Sequence, residues 1–331
     1  MQSNEKVIGI DVASESLTAS SFDGKTHTVF EFEYTAREIR NKLINPFKKV
    51  KNTVIFVMES TGIYHTMLAY KLKGEGFNVA VVNPLIIKRY AQMHLMRVKT
   101  DSVDARLIAE YGYEYQHKLS WFETKQQSQI EVDNLLKAID DLMQQKTMCN
   151  NQYLALKKQA NHSQEAVRSY KRHLSFMTLE IERLEKQLEA LLQESFKTEY
   201  KLLRSIPGIG LKVSAMIIAV FHRFEQFQNA KQVCSFIGIA PSPYESGTSV
   251  KGRGAISKRG NPFARQMLFM GALVATIHNP LVKEQYLRLL ENGKSKMVAL
   301  IAAANKLLRQ AFGVIKSGKA FDVHYARSHK I

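Results

Sequence analysis

Apolar and polar positions divide the chain into three stretches of different rhythm. Residues 6–12, Lys-Val-Ile-Gly-Ile-Asp-Val, form a β-branched run that predicts a strand. Ser20–Phe22 and Thr26–Tyr34 flank Asp23-Gly24, which predicts a hairpin closed by a tight turn. Thr53–Met58 is apolar throughout, as a strand buried on both faces would be. Phe77–Val82 is a further strand, closed by Asn83-Pro84. Helical patterns occupy Ala36–Phe47, Tyr64–Glu75, Ile86–Met96 and Ser102–Tyr115. Hairpin strands followed by alternating strands and helices predict a mixed α/β sheet close to a ribonuclease-H-like arrangement.

Residues 123–200 lack Pro and Gly. Leu135, Ile139 and Leu142 recur at helical spacing. Leu174, Met177, Ile181, Leu184, Leu188 and Leu191 recur at three- and four-residue steps, which predicts a coiled-coil seam. A long helical hairpin that also pairs subunits is the expectation, the plainer reading being an amphipathic helix packed on its own domain. Gln144–Arg172 has no clear seam and holds either the turn or a stretch facing nucleic acid. The third stretch opens with Ser205-Ile206-Pro207-Gly208-Ile209-Gly210 and continues as an apolar helix over Lys212–Phe221, followed by the segment Lys231–Ile237. A Gly-, Pro- and Ser-rich loop follows from Gly238 to Gly260, then helices from Pro262 onward, including Ala299–Ile315. The expected division is 1–122, 123–200 and 201–331.

Charge narrows the function. The formal net charge is +17, and from Ser246 onward 15 Lys and Arg face 3 Asp and Glu. Such an excess favours a polyanion, and nucleic acid over an anionic membrane, because no basic amphipathic helix with aromatic anchors stands out. No uninterrupted apolar run reaches the roughly 20 residues that span a bilayer. Residues 1–6 do not read as a signal peptide. Cys149 and Cys234 are the two cysteines, too few for a disulfide framework or a Cys-based zinc site, so a cytoplasmic protein is expected.

Against that basic background stand four acids. Asp11 ends the first strand, Glu59 ends the central apolar strand, and Asp101 and Asp104 sit three residues apart on one helix face. Hard oxygen donors in this pattern suit Mg²⁺, which polarises a phosphoryl oxygen and activates an attacking oxygen. Each acid alone has a plainer reading; Asp101, for instance, could cap its helix. No Walker-type Gly-x-x-x-x-Gly-Lys and no second Gly-rich phosphate loop accompany the Ile-Gly-Ile-Asp start, which argues against ATP hydrolysis.

Two further motifs carry phosphate chemistry. Gly208 and Gly210 in Pro207-Gly208-Ile209-Gly210, with Lys212 beside them, suggest a helix-hairpin-helix turn that holds nucleic-acid backbone. The run Tyr244-Glu245-Ser246-Gly247-Thr248-Ser249-Val250-Lys251-Gly252-Arg253-Gly254, with Lys258 and Arg259 behind it, offers hydroxyls among glycines and cations. Composition does not choose a nucleophile among Ser246, Thr248 and Ser249, and a phosphate-binding loop is the simpler reading.

These blocks, in this order, resemble the DEDD transposases of insertion sequences related to the Piv and MooV DNA invertases. The resemblance rests on Ile8-Gly9-Ile10-Asp11, Glu59-Ser60-Thr61-Gly62, Asn83-Pro84, Lys99-Thr100-Asp101-Ser102-Val103-Asp104-Ala105, Pro207-Gly208-Ile209-Gly210 and Tyr244-Glu245-Ser246-Gly247. It implies a RuvC-like N-terminal domain, a central coiled coil and a mainly helical C-terminal transposase domain. It implies Asp11, Glu59, Asp101 and Asp104 as the Mg²⁺ ligands and Ser246 as the nucleophile that forms a 5′-phosphoserine link. It further implies donor and target DNA, a non-coding bridge RNA that pairs with both, and a homo-oligomer (dimer or tetramer) in which the acids of one subunit meet the serine of another. Cytoplasmic, nucleoid-associated action in a bacterium and no membrane partner follow. Without the resemblance, a RuvC-like metal-dependent endonuclease using water would rank first.

Overall fold

A computed structural model describes residues 6–60, 62, 64–95, 100–242, 245–246, 250–251, 255–257 and 260–324. The chain forms two compact units, Met1–Thr124 and Lys125–Ile331.

The first unit is built on a five-stranded sheet in the order β3-β2-β1-β4-β5, with β1 Lys6–Val12, β2 Ser16–Phe22, β3 His27–Glu33, β4 Val54–Glu59 and β5 Asn78–Val82. The hairpin strands pair antiparallel, and β1, β4 and β5 run parallel. The mixed α/β sheet expected from the sequence is present. Its hairpin turn is longer than expected: Phe22 pairs with His27, leaving four residues in the loop. The Asp23 carboxylate organises them by accepting from the Lys25 and Thr26 amides, and those bonds hold its pKa down at about 2.

Side-chain alternation gives the central strands two covered faces. Ile8, Ile10, Phe56 and Met58 face one cluster with Leu68 and Leu72 of α2, Tyr64–Gly74. Val7, Ile55 and Val57 face the other with Ile87 of α3, Pro84–Met93, and Ile108 of α4, Asp101–Glu114. The stretch expected as one helix from Ala36 to Phe47 is irregular. A single turn, α1 Ala36–Ile39, passes into a π-helical turn, Arg40–Ile44, and a 3₁₀ stretch, Asn45–Thr53. Pro46 lacks the N–H that would continue an α-helix.

The second unit is helical apart from a small β ribbon. Its helices are α5 Gln127–Lys157, α6 Gln164–Ser195, α7 Lys197–Arg204, α8 Leu211–Phe221, α9 Ala230–Ile237, α10 Pro262–His278, α11 Pro280–Glu291 and α12 Lys296–Ser317. The expected helical hairpin is α5 and α6, turning at residues 158–163. Of its expected periodic residues, Ile139, Ile181 and Leu188 join one core with α8, α10 and α12, as do Val132, Leu136 and Leu192 beside them, and Leu135, Leu142, Leu184 and Leu191 pack against it. By length and composition α12 is apolar enough to cross a membrane. Its apolar face, Ala303, Ala304, Leu307, Leu308 and Ala311, is instead packed in this core.

The tightest contact in the first unit is α4 against β1. A Cβ built on Gly9 would fall inside the Ala109 amide and the Ala105 carbonyl, so the helix backbone rests directly on the strand. Gly9→Ala should therefore lower the first unit's stability by about 3 kcal/mol, at the upper end for overpacking because backbone is in the way. Urea unfolding followed by circular dichroism checks this, and an unchanged midpoint would contradict the packing.

Candidate active site

Strand register and helix crossing together place the four acids. In the β1–β4 ladder Ile10 pairs with Met58, so the next rung holds Asp11 and Glu59 at the C-terminal ends of neighbouring parallel strands. Both fall in the alternation of Val7, Gly9 and Ile55, Val57, the face covered by α4. Gly9 lies under Ala105 and Ala109, whereas Gly112 lies over Val7 and Val57. The helix thus runs antiparallel to β1. Two residues of strand, about 6.6 Å, correspond to about four residues of helix. Stepping that far from Gly9 toward the strand end brings the first turn of α4, with Asp101 and Asp104, over Asp11.

Thr100 caps α4, its Oγ1 accepting from the Val103 amide at 3.3 Å. The cap is therefore not Asp101, which stands in the first helical turn with Asp104. There the free amides and helix dipole favour negative charge. Asp11, Glu59 and Asp104 are half-buried and Asp101 is exposed. Among the described residues no three His, Cys, Asp or Glu side chains are gathered closely enough to hold a metal ion unaided. Mg²⁺ commonly takes one or two carboxylates, its shell being completed by substrate phosphate. Asp11 and Glu59 at the strand ends and Asp101 and Asp104 in the helix turn are hard oxygen donors of the kind that suits that chemistry.

The Pro207–Gly210 turn joins α7 to α8. Gly208 has φ +102°, and a Cβ there would lie 2.5 Å from the Ala275 Cβ and 3.0 Å from the Gly271 carbonyl oxygen. Its glycine is thus required by the approach of α10. Asn279, buried, ties the same turn by donating to the Pro207 carbonyl at 3.2 Å. Gly210 precedes α8 with φ −91° and has room beside it, the nearest atom to a built Cβ being Arg204 Nη1 at 3.5 Å. Lys212 is directed to α6, where its ammonium lies 2.7 Å from the Glu185 carboxylate. Arg204 is thus a cation at the turn that the sequence reading did not select; its register on α7 gave no signal.

Ser246 lies on a small ribbon. Pro241–Ser242 (β6) pairs with Ala255–Ile256 (β9), and Glu245–Ser246 (β7) pairs with Val250–Lys251 (β8), Ser246 opposite Val250. Tyr244, Gly247, Thr248, Ser249, Gly252, Arg253, Gly254, Lys258 and Arg259 lie outside the described residues. The base of the ribbon is well anchored. Gly238 caps α9 in the left-handed region, and Gly260, φ +123°, presses on the Phe236 and Ile237 backbone. Arg265 donates to the Ile237 carbonyl at 2.7 Å. Cys234, nearby on α9, is no competing nucleophile, since burial pushes its thiol up to about 11.

Comparison with known proteins places the chain in a family. A transposase model of the DEDD type from IS110 elements matches residues 8–162, which hold all four acids. A second, described as the transposase IS116/IS110/IS902 family, matches residues 200–287, which hold the Pro207–Gly210 turn and Ser246. The pilin gene-inverting protein of Moraxella lacunata is 31% identical over 280 residues, covering 82% of this chain and 83% of that protein. The chain belongs to the IS110/IS116 transposase family. The chain is also similar to the transposase for insertion sequence element IS1111A of Coxiella burnetii, 24% identical over 91% of this chain and 87% of that protein. Membership in this transposase and DNA-invertase family implies DNA as substrate and an activity of DNA cleavage and rejoining. DEDD-type transposases typically use divalent metal ions.

The two glycines of the turn should separate by their surroundings. Gly208→Ala should cost about 2 kcal/mol, from a left-handed backbone and a blocked Cβ. Gly210→Ala should cost less than about 1 kcal/mol. Thermal melting of both variants checks the order, and equal losses would contradict it.

Proposed function

We propose that this IS110-family protein is a bridge-RNA-guided DNA recombinase that cuts and rejoins DNA through a 5′-phosphoserine at Ser246. The observation that carries the reading is the placement of Asp11 and Glu59 at neighbouring strand ends on the face covered by α4, whose first turn holds Asp101 and Asp104, accompanied by the Tyr-Glu-Ser-Gly block. A RuvC-like assignment of the first unit is supported by its strand order, with an antiparallel hairpin joined to a parallel trio.

The acids would hold Mg²⁺, which when bound supplies positive charge beside the scissile phosphate and favours the ionised form of an attacking hydroxyl. Ser246 Oγ loses its proton and forms a bond to phosphorus. The bond from phosphorus to the 3′-oxygen breaks, and that oxygen takes up a proton. The products are a 5′-phosphoserine and a free 3′-hydroxyl. After strand exchange a 3′-hydroxyl attacks the phosphoserine and restores Ser246, so no external energy is consumed. The ribbon anchors at Gly238, Gly260 and Arg265 hold both ends of the segment that carries the serine. A homo-oligomer paired through the α5–α6 hairpin is part of this reading. Gly208, Gly210, Lys212, Lys251, Arg253, Lys258 and Arg259 would contact nucleic-acid backbone, with Lys212 first exchanging its Glu185 partner.

The test is a search for a protein–DNA adduct. The protein is expressed with its native element ends, and reactions are stopped in denaturant. Wild type should give an adduct, while Ser246→Ala and Asp11→Ala should each lose it and lower recombination on the order of 10³-fold or more. Cut DNA without an adduct would show water as the nucleophile and overturn the serine role.

A further inference from the structure

The first unit carries a strong charge asymmetry. Residues 37–51 hold six Lys and Arg (Arg37, Arg40, Lys42, Lys48, Lys49, Lys51) and one acid, Glu38. The remainder of residues 6–124 holds ten Lys and Arg against twelve Asp and Glu. The whole positive excess of this unit therefore lies in one short segment. A surface tuned only for solubility would intersperse the signs.

The segment is rigidly seated. Ile39, Leu43, Ile44 and Phe47 pack into the cluster that contains Ile8, Ile10, Phe56 and Leu68. Lys51 ties the segment's end by donating to the Glu75 carbonyl, and its ammonium stands 5.3 Å from the Phe77 ring centre. Lys71 of α2 donates to the Ala36 carbonyl at 3.2 Å, bringing another cation to the segment's start. The five other cations, Arg37, Arg40, Lys42, Lys48 and Lys49, are exposed. Among the described residues none of the five forms an ion pair. Five exposed cations beside a single acid, Glu38, make a surface that attracts a polyanion.

Position separates this surface from the cleavage edge. The segment covers the face to which Ile8 and Ile10 point, while Asp11, Glu59 and α4 belong to the opposite face. A phosphate held here is not the phosphate presented to the acids. We propose that residues 37–51 form a second nucleic-acid surface, binding the phosphodiester backbone of a segment other than the one being cut. Recognition is by backbone charge, without base reading.

The test measures binding by the full-length protein with a chelator present, so that no cleavage intervenes. One probe is duplex DNA of the element's end, and the other is a transcript of its non-coding end. Combined Arg40→Gln, Lys48→Gln and Lys49→Gln should weaken binding of at least one probe about 100-fold at 0.15 M salt. The slope of log affinity against log salt should fall by about 2–3. The probe affected identifies whether DNA or RNA supplies the backbone. Combined Lys6→Gln, Lys25→Gln and Lys118→Gln removes equal charge from exposed sites of the same unit and should change the slope by less than about 1. All five substituted side chains outside Arg40 are lysines on the surface, and an unchanged melting temperature confirms that each variant is folded. Equal losses in the two triple variants, or none in either, would overturn the proposal. Because binding is read without chemistry, a failed search for the serine adduct would leave this result standing, and the converse holds.

Discussion

The backbone contact between α4 and β1 is the constraint on which the acid edge depends. A helix normally stands about 10 Å from a sheet, spaced by side chains. Gly9 removes that spacer, and Ala105 and Ala109 bring only methyl groups. The helix settles on the strand at a fixed height and direction. Its first turn is then carried to the end of β1, where Asp101 and Asp104 meet the level of Asp11 and Glu59. Gly112 repeats the device against Val7 and Val57, so the crossing is held at two points.

Charge is segregated around this frame. The acids occupy one face at the C-terminal edge of the parallel strands, and the cations of residues 37–51 occupy the other face. The unit's net charge is small, although residues 37–51 hold six Lys and Arg against one acid. Carboxylates repel a polyanion, and a divalent ion bound beside them would reverse that local charge.

In the second unit the recurring theme is anchorage of short irregular segments by a helical core. Gly208 fits against α10, Asn279 holds the Pro207 carbonyl, and Gly260 with Arg265 pins the ribbon base to the end of α9. Each support fixes backbone at a point where a side chain would not fit or a carbonyl would be unpaired.

By itself the sequence determined the strands β1, β4 and β5, the long hairpin helices and the four acids at element ends. These follow from period and from local chemistry, which neighbouring residues specify. The tertiary structure decided what depends on distant partners. The Asp-Gly turn became a four-residue loop because pairing begins at Phe22 and His27. The leucine seam of α6 turned to its own core because α5 and α8 were there to receive it. Gly208, equally readable as a phosphate contact, proved necessary for helix packing, and Lys212 found Glu185 rather than open solvent. The basic segment of residues 37–51 escaped a reading by domain totals, because twelve acids elsewhere nearly cancel it. Periodicity is a property of one element, whereas burial, pairing and the sign of a surface belong to the elements that fold against it.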